Sequence, residues 1–154
     1  VVLLYTTGIK VGELLRLTLS DYSAEEKVLS VHKPGGKTRS LSVPESAGPI
    51  LDDYILVRSQ KSKTCDPPTE LLFLNRDCSP ISVRSIRRKL KEYGKKAGLL
   101  FPITPEVLRR SHAVKMLGKG VGIEQLARQM GYLSVAAFKQ QMEMNESNRM
   151  KDEV

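Results

Sequence analysis

The sequence predicts a mixed α+β domain, mainly α, with a small β-hairpin or three-stranded sheet near its start. Three observations carry this. Apolar residues recur at helical spacing through most of the chain, two short alternating runs flank PGGK, and Ser82, Thr104 and Gly122 stand where helices begin.

The opening VVLLYTTG reads as the end of a core helix. It lacks the basic flank and small-residue cleavage site of a signal peptide, and with Val1 in place of Met it suggests that an N-terminal part of a longer protein precedes it. Residues 10–17 (KVGELLRL) follow at helical spacing. Val28, Leu29 and Val31, then Leu41 and Val43, form two runs around PGGK, which is a hairpin signal. Ile50, Leu51, Tyr54, Ile55 and Val57 mark a helix entered through residues 46–49, and the paired prolines of KSKTCDPPTE mark a loop. Residues 71–74 read as one more short strand. Ser82 caps a basic helix to about residue 98, Thr104-Pro105-Glu106 opens a helix to about residue 117, residues 122–130 make another, and a last one starts at Ser134. No internal repeat or second domain is visible: residues 1–145 form one domain and residues 146–154 a polar tail.

Composition narrows the partner. The chain has 154 residues, 40% of them hydrophobic and 27% charged, which suits a single globular domain. No apolar run approaches the roughly 18 residues that cross a bilayer. Twenty-five Lys and Arg against seventeen Asp and Glu give a net charge of +8, and this favours a polyanion. Cys65 and Cys78 form no CxxC and no metal-ligand spacing, and only His32 and His112 stand ready to join them. The sequence therefore predicts two free thiols, a reducing cytoplasmic setting and no metal.

The charge has a location. In SVRSIRRKLKEYGKKAG, helical spacing puts Ile86, Leu90 and Tyr93 on the buried side and Arg84, Arg88, Lys91 and Lys95 along one outer stripe, where only Glu92 opposes them. A solvated face is the ordinary fate of such residues; the near absence of acidic neighbours favours contact with phosphates.

TTGIKVGELLRLTLSD resembles the motif that opens the catalytic core of tyrosine recombinases, the phage integrase family, a T-G-L-R-x-x-E-L-x-x-L-x-x-x-D pattern. Gly8, Glu13, Leu14, Leu17 and Asp21 match it, while Lys10 stands at the first catalytic Arg. VLSVHKPGGKTRSLSVP resembles the family's β2 to β3 hairpin through Lys37, Arg39 and Pro44. ITPEVLRRSHAVKMLGKGVGIEQLARQMGYLS resembles its T-P-H-x-L-R-H-S stretch and L-G-H-S segment. Arg109 takes the second catalytic Arg, Glu106 replaces His or Lys, and Tyr132 replaces His or Trp. The family's nucleophilic Tyr comes nine residues later, at Gln141, and no tyrosine follows Tyr132. The catalytic Lys of the hairpin falls on Pro34 without gaps, with Lys33 or Lys37 as substitutes.

What the resemblance implies is a chemistry with most of its parts changed. A tyrosine hydroxyl attacks the phosphate, two Arg forks and a His or Trp hold the developing charge, and a Lys protonates the leaving 5′-oxygen. Gln141 has no such nucleophile. Lys10 keeps a charge but gives up the fork, and losing one such donor costs on the order of 100-fold in rate. Glu106 repels phosphate unless an Arg pairs with it. His112 stands where the family carries an apolar aromatic and reads as a packed residue. Tyr132 either packs the turn after Gly131 or meets phosphate.

The sequence thus points to a recombinase-type domain, tied to DNA recombination and integration, that binds duplex DNA without cutting it. Lys37, Arg39, Arg84, Arg88, Lys91, Lys95 and Arg110 are its expected DNA contacts. No cofactor, small-molecule substrate or membrane is implied, and self-association or pairing with an active recombinase is the further partner. Two alternatives stand beside this. GIEQLARQMGYLSVAAFKQQ also resembles a helix-turn-helix of a transcription regulator, with Ala127 and Gly131 at the turn. A pure interaction module of a recombinase assembly is the other.

Overall fold

The computed structural model describes residues 1–33, 35–62, 64–65 and 68–151, with side chains except at 62 and 144–151. Pro34, the ungapped position of the hairpin lysine, lies outside the described residues. Seven α-helices and one three-stranded sheet are present among them: α1 (Val2–Thr7), α2 (Val11–Leu14), β1 (Tyr22–Ser23), β2 (Val28–His32), β3 (Thr38–Ser42), α3 (Gly48–Ser62), α4 (Val83–Lys96), α5 (Pro105–Gly118), α6 (Ile123–Gln129) and α7 (Val135–Lys151). No described helix is long and apolar enough to cross a membrane.

The chain turns sharply after α1 because Gly8 adopts φ +62, the left-handed conformation that glycine takes without a Cβ penalty. A Cβ there would lie 2.7 Å from the His112 ring. The single turn of α2 is shorter than the 10–17 pattern predicts, since tighter bonds from Arg16 N to Glu13 O and Leu17 N to Leu14 O end it. Strand order is β1-β2-β3, all antiparallel, with Leu29 opposite Leu41 and Val31 opposite Arg39. Leu29, Val31 and Leu41 face the core at alternate positions.

The third strand is not the one the sequence suggested. Residues 71–74 make isolated bridges, Thr18 to Leu71 and Leu74 to Pro80, and β1 pairs with β2 instead. Buried Arg58 in α3 also holds the 69–71 segment by donating to Thr69 O and Leu71 O at 2.8 Å, while backbone bonds from Leu19 N to Glu70 O and from Leu72 N to Leu17 O flank a single bridge that does not extend into a strand. The expectation of free thiols is also corrected: Cys65 and Cys78 are joined in a disulfide. The chain folds back between α3 and α4 and brings together two cysteines 13 residues apart, a closure that their spacing alone does not reveal. The thiol argument for a reducing compartment lapses with it.

In α4, Ser82 accepts from Ser85 N at 3.1 Å and caps the helix as expected. Its buried face is Ile86, Leu90 and Gly94; Tyr93, predicted inside, is 50% exposed. Gly94 takes the inward position because a Cβ there would meet Ile103 at 3.2 Å, and this leaves the Tyr93 ring at the rim of an apolar groove of about 650 Å³.

Among the described residues, two apolar clusters organise the interior. One gathers Leu4, Ile9, Leu29, Leu41, Leu72 and Leu90 from α1, the sheet and α4; the other gathers Ala113, Leu126, Met130 and Phe138 from α5, α6 and α7. α5 serves both, with Leu108 against the first and Ala113 in the second. α7 continues through Lys151, so the stretch expected as a polar tail is helical up to that residue.

Candidate functional site

A cleft of about 260 Å³ opens where the two clusters meet, and Lys10, Glu106, Arg109, Arg110, Tyr132 and Gln141 line it. They arrive from separate elements: Lys10 caps α2, Thr104 caps the helix that carries Glu106, Arg109 and Arg110, Tyr132 lies in the α6–α7 turn, and Gln141 rides on α7. The Thr104 side chain accepts from Val107 N, and Pro105 at the first turn has no N–H to lose, so this start is built into the sequence.

Lys10 is exposed, and its Nζ donates to Gly131 O at 3.3 Å while lying 5.6 Å from the centre of the Tyr132 ring. Partial burial, then the charge of Arg109, pulls its pKa down, and the Arg39 and Lys33 charges act in the same direction against Glu13. Lys33 is thus within electrostatic reach of the cleft, although it does not line it. Arg109 is 8% exposed. It donates to Gly8 O through Nη1 and to Met130 O through Nη2, and its guanidinium lies 4.8 Å from the Tyr132 ring centre. Burial pulls its pKa below the ordinary value. The Tyr132 ring also meets Phe138 edge-on at 5.2 Å while lining the cleft, so it packs the turn and borders the cleft at once.

Glu106, expected to need an arginine partner, has one. Arg87 of α4 donates to its Oε1 at 3.2 Å. Burial alone would raise the Glu106 carboxyl, but hydrogen bonds from its own backbone and from Arg87 outweigh this and hold it low. The sequence places Arg87 in the basic helix without a role, and with its partner 19 positions away no local pattern could supply one.

Arg39, expected among the DNA contacts, faces inward. Its fork meets Glu13 at 2.8 and 2.7 Å, and its Nε donates to Gln129 O at 2.8 Å. Burial tends to lift the Glu13 carboxyl, and the Arg39 fork with the Lys10 backbone N–H overcomes it and holds Glu13 below the usual range. Lys37 is exposed at the hairpin end, where Lys33 N bonds Lys37 O at 2.9 Å. Arg84, Arg88, Lys91 and Lys95 are exposed along α4, as the stripe requires. Glu92 lies 4.0 Å from Arg88 and 3.4 Å from Lys89. His112 is buried, with Nδ1 bonded to Tyr5 O at 3.1 Å, and it does not line the cleft. Among the described residues, no group of three His, Cys, Asp or Glu comes together as a metal site.

Residues 1–145 match the model of the phage integrase family. The chain is 31% identical over 132 residues to tyrosine recombinase XerC of Lactobacillus leichmannii, covering 86% of this chain and 45% of the relative. It is 34% identical over 140 residues to tyrosine recombinase XerA of Pyrococcus furiosus, covering 88% and 46%. The chain therefore spans less than half the length of these curated relatives. A crystal structure of XerA recombinase superposes with TM-score 0.82 at 29% identity, over 97% of this chain and 53% of that one. The Tn1549 transposon integrase in complex with a circular intermediate DNA superposes with TM-score 0.72 over 96% of this chain and 56% of that one, and at 20% identity it shows the fold alone.

Proposed function

Because the chain belongs to the phage integrase family of tyrosine recombinases, we propose that it grips duplex DNA through one basic face and leaves the strand uncut. The observation that carries this is the cleft itself. Lys10, Glu106, Arg109, Tyr132 and Gln141, the residues that the sequence resemblance sets at family positions, line it together, which supports the reading that an amide stands where a tyrosine hydroxyl would attack. A glutamine side chain has no ionisable oxygen, so no phosphotyrosine linkage forms there. The family's charge clamp is weakened by Lys10 and Glu106, the second of which already occupies Arg87.

The binding surface has two parts. Arg84, Arg88, Lys91 and Lys95 line the exposed side of α4, and Lys33 and Lys37 stand on the hairpin. Arg110 and Lys10 carry the charge into the cleft between them. Such groups meet phosphates and position a duplex without reading its sequence. Solved neighbours of the same fold were captured on DNA, among them XerH bound to its difH substrate. The DNA partner, rather than the cysteines, is then the ground for a cytoplasmic location. The helix-turn-helix alternative loses its independent segment, since α6 and α7 as far as residue 145 fall inside the family match.

Two measurements test the proposal together. The chain should bind a fluorescent duplex at low salt, and it should form no covalent adduct with a nicked suicide substrate. Absence of binding overturns the first half. An adduct mapped by mass spectrometry to any tyrosine of the chain overturns the second, whereas an adduct seen only when an active recombinase is added identifies the partner that supplies the nucleophile.

A further inference from the structure

The last carbonyls of a helix have no partner within it, and they carry the negative end of its dipole. Where α6 ends, three consecutive carbonyls, those of its last residue, its cap and the glycine that follows, each accept from a cation of a different element. Gln129 O accepts from Arg39 of β3 at 2.8 Å, Met130 O from Arg109 of α5, and Gly131 O from Lys10 at the start of α2 at 3.3 Å. The two arginines are tied at their other ends as well. Arg39 forks onto Glu13, and Arg109 donates to Gly8 O. Gly131 is what lets the Arg39 guanidinium in, since a Cβ there would lie 2.8 Å from its central carbon.

We infer that Arg39 and Arg109 are positioning residues that clamp the C-terminal end of α6 to the α1–α2 turn and the hairpin, and that Lys10 is the one exchangeable member of the clamp. The α6–α7 side of the cleft belongs to the second apolar cluster, while Gly8, Glu13 and β3 belong to the side built on the first. The joint between them at this point is made by charged side chains on carbonyls and a carboxylate. Both arginines are largely buried, and each makes two or three bonds that would be left unmet if it moved. Lys10 is exposed and makes one longer bond, so a phosphate entering the cleft can take its charge from Gly131 O without opening the clamp. Position 141 on α7 is thereby held in place by a latch that needs no DNA, and its test stands apart from that of duplex binding.

Hydrogen–deuterium exchange on the full chain reads the latch directly. Arg109→Lys and Arg39→Lys keep the charge but lose part of the bonding. Each is expected to speed exchange in peptides from residues 123–143 by about tenfold, as for loss of one charge-assisted bond, while peptides from 28–42 stay unchanged. Arg39→Gln should open 123–143 further than Arg39→Lys; equal protection in the lysine variant and wild type would mean that Arg39 serves only to neutralise Glu13. Lys10→Gln is expected to leave exchange as it is, and opening by that variant would remove its exchangeable role. Wild-type protection of 123–143 in Arg109→Lys overturns the clamp. So does equal acceleration in the hairpin, which would make the arginines general supports of the domain.

Discussion

Replacing Arg88, Lys91 and Lys95 by alanine removes three charges from the exposed side of α4 and touches none of its buried residues, Ile86, Leu90 and Gly94. If each charge neutralises one phosphate, the log-log salt slope of duplex binding falls by about 0.9 for each, about 2.7 in all. Glu92 lies 4.0 Å from Arg88 and already offsets part of its charge, which sets the lower bound at the two lysines, about 1.8. Over a fourfold rise in salt, from about 50 to about 200 mM, the variant should therefore lose roughly 12- to 40-fold less affinity than wild type. Fluorescence anisotropy at five salt concentrations, on two unrelated duplexes, measures both slopes. Parallel lines would show that the stripe is a solvated face. A loss confined to one duplex would show that these side chains read bases, against the assignment to phosphates.

Three further outcomes are expected. Gln141→Tyr alone should give no covalent adduct with a nicked substrate, because the new hydroxyl meets a clamp altered at Lys10, Glu106 and Tyr132, and residues acting as a unit do not contribute separately; an adduct from the single variant, compared with one carrying Lys10→Arg, Glu106→His, Tyr132→His and Gln141→Tyr, would show the clamp intact. His112 has its pKa pulled below 6.5, chiefly by burial and also by the Arg109 charge, despite the bond to Tyr5 O. Its folded form thus holds fewer protons than the unfolded chain, so its contribution to stability is complete above about pH 6.5 and is lost as pH falls; thermal melts at pH 5 and 7 should differ less in His112→Phe than in wild type. Reduction of the Cys65–Cys78 bond opens a loop of 13 residues, which costs about 3 kcal/mol for a loop near this length and roughly 6–12 °C in Tm for a domain of this size; equal melts with and without reductant, or two free thiols in unreduced denatured protein, would contradict the disulfide.

The sequence by itself determined what depends on neighbours a few residues apart. Ser82 and Thr104 announced two helices because an N-cap bonds a backbone N–H three residues on. Alternating Leu29, Val31 and Leu41 announced the hairpin, since a strand turns every second side chain inward. The order and spacing of Lys10, Glu106, Arg109, Tyr132 and Gln141 singled out residues that folding gathers around one cleft. Only the tertiary structure decided how the charges are used. Arg39 reads like any cation beside a basic hairpin until Glu13 and Gln129 arrive from 26 and 90 residues away and engage each of its three guanidinium nitrogens. Arg87 acquires Glu106, and Cys65 acquires Cys78, in the same manner. Tyr93 lost its predicted burial because the adjacent Gly94 admits Ile103, a close approach that helical period cannot show. Periodicity records which face of an element turns inward; which atoms meet that face is fixed by contacts between elements, and those belong to the folded chain.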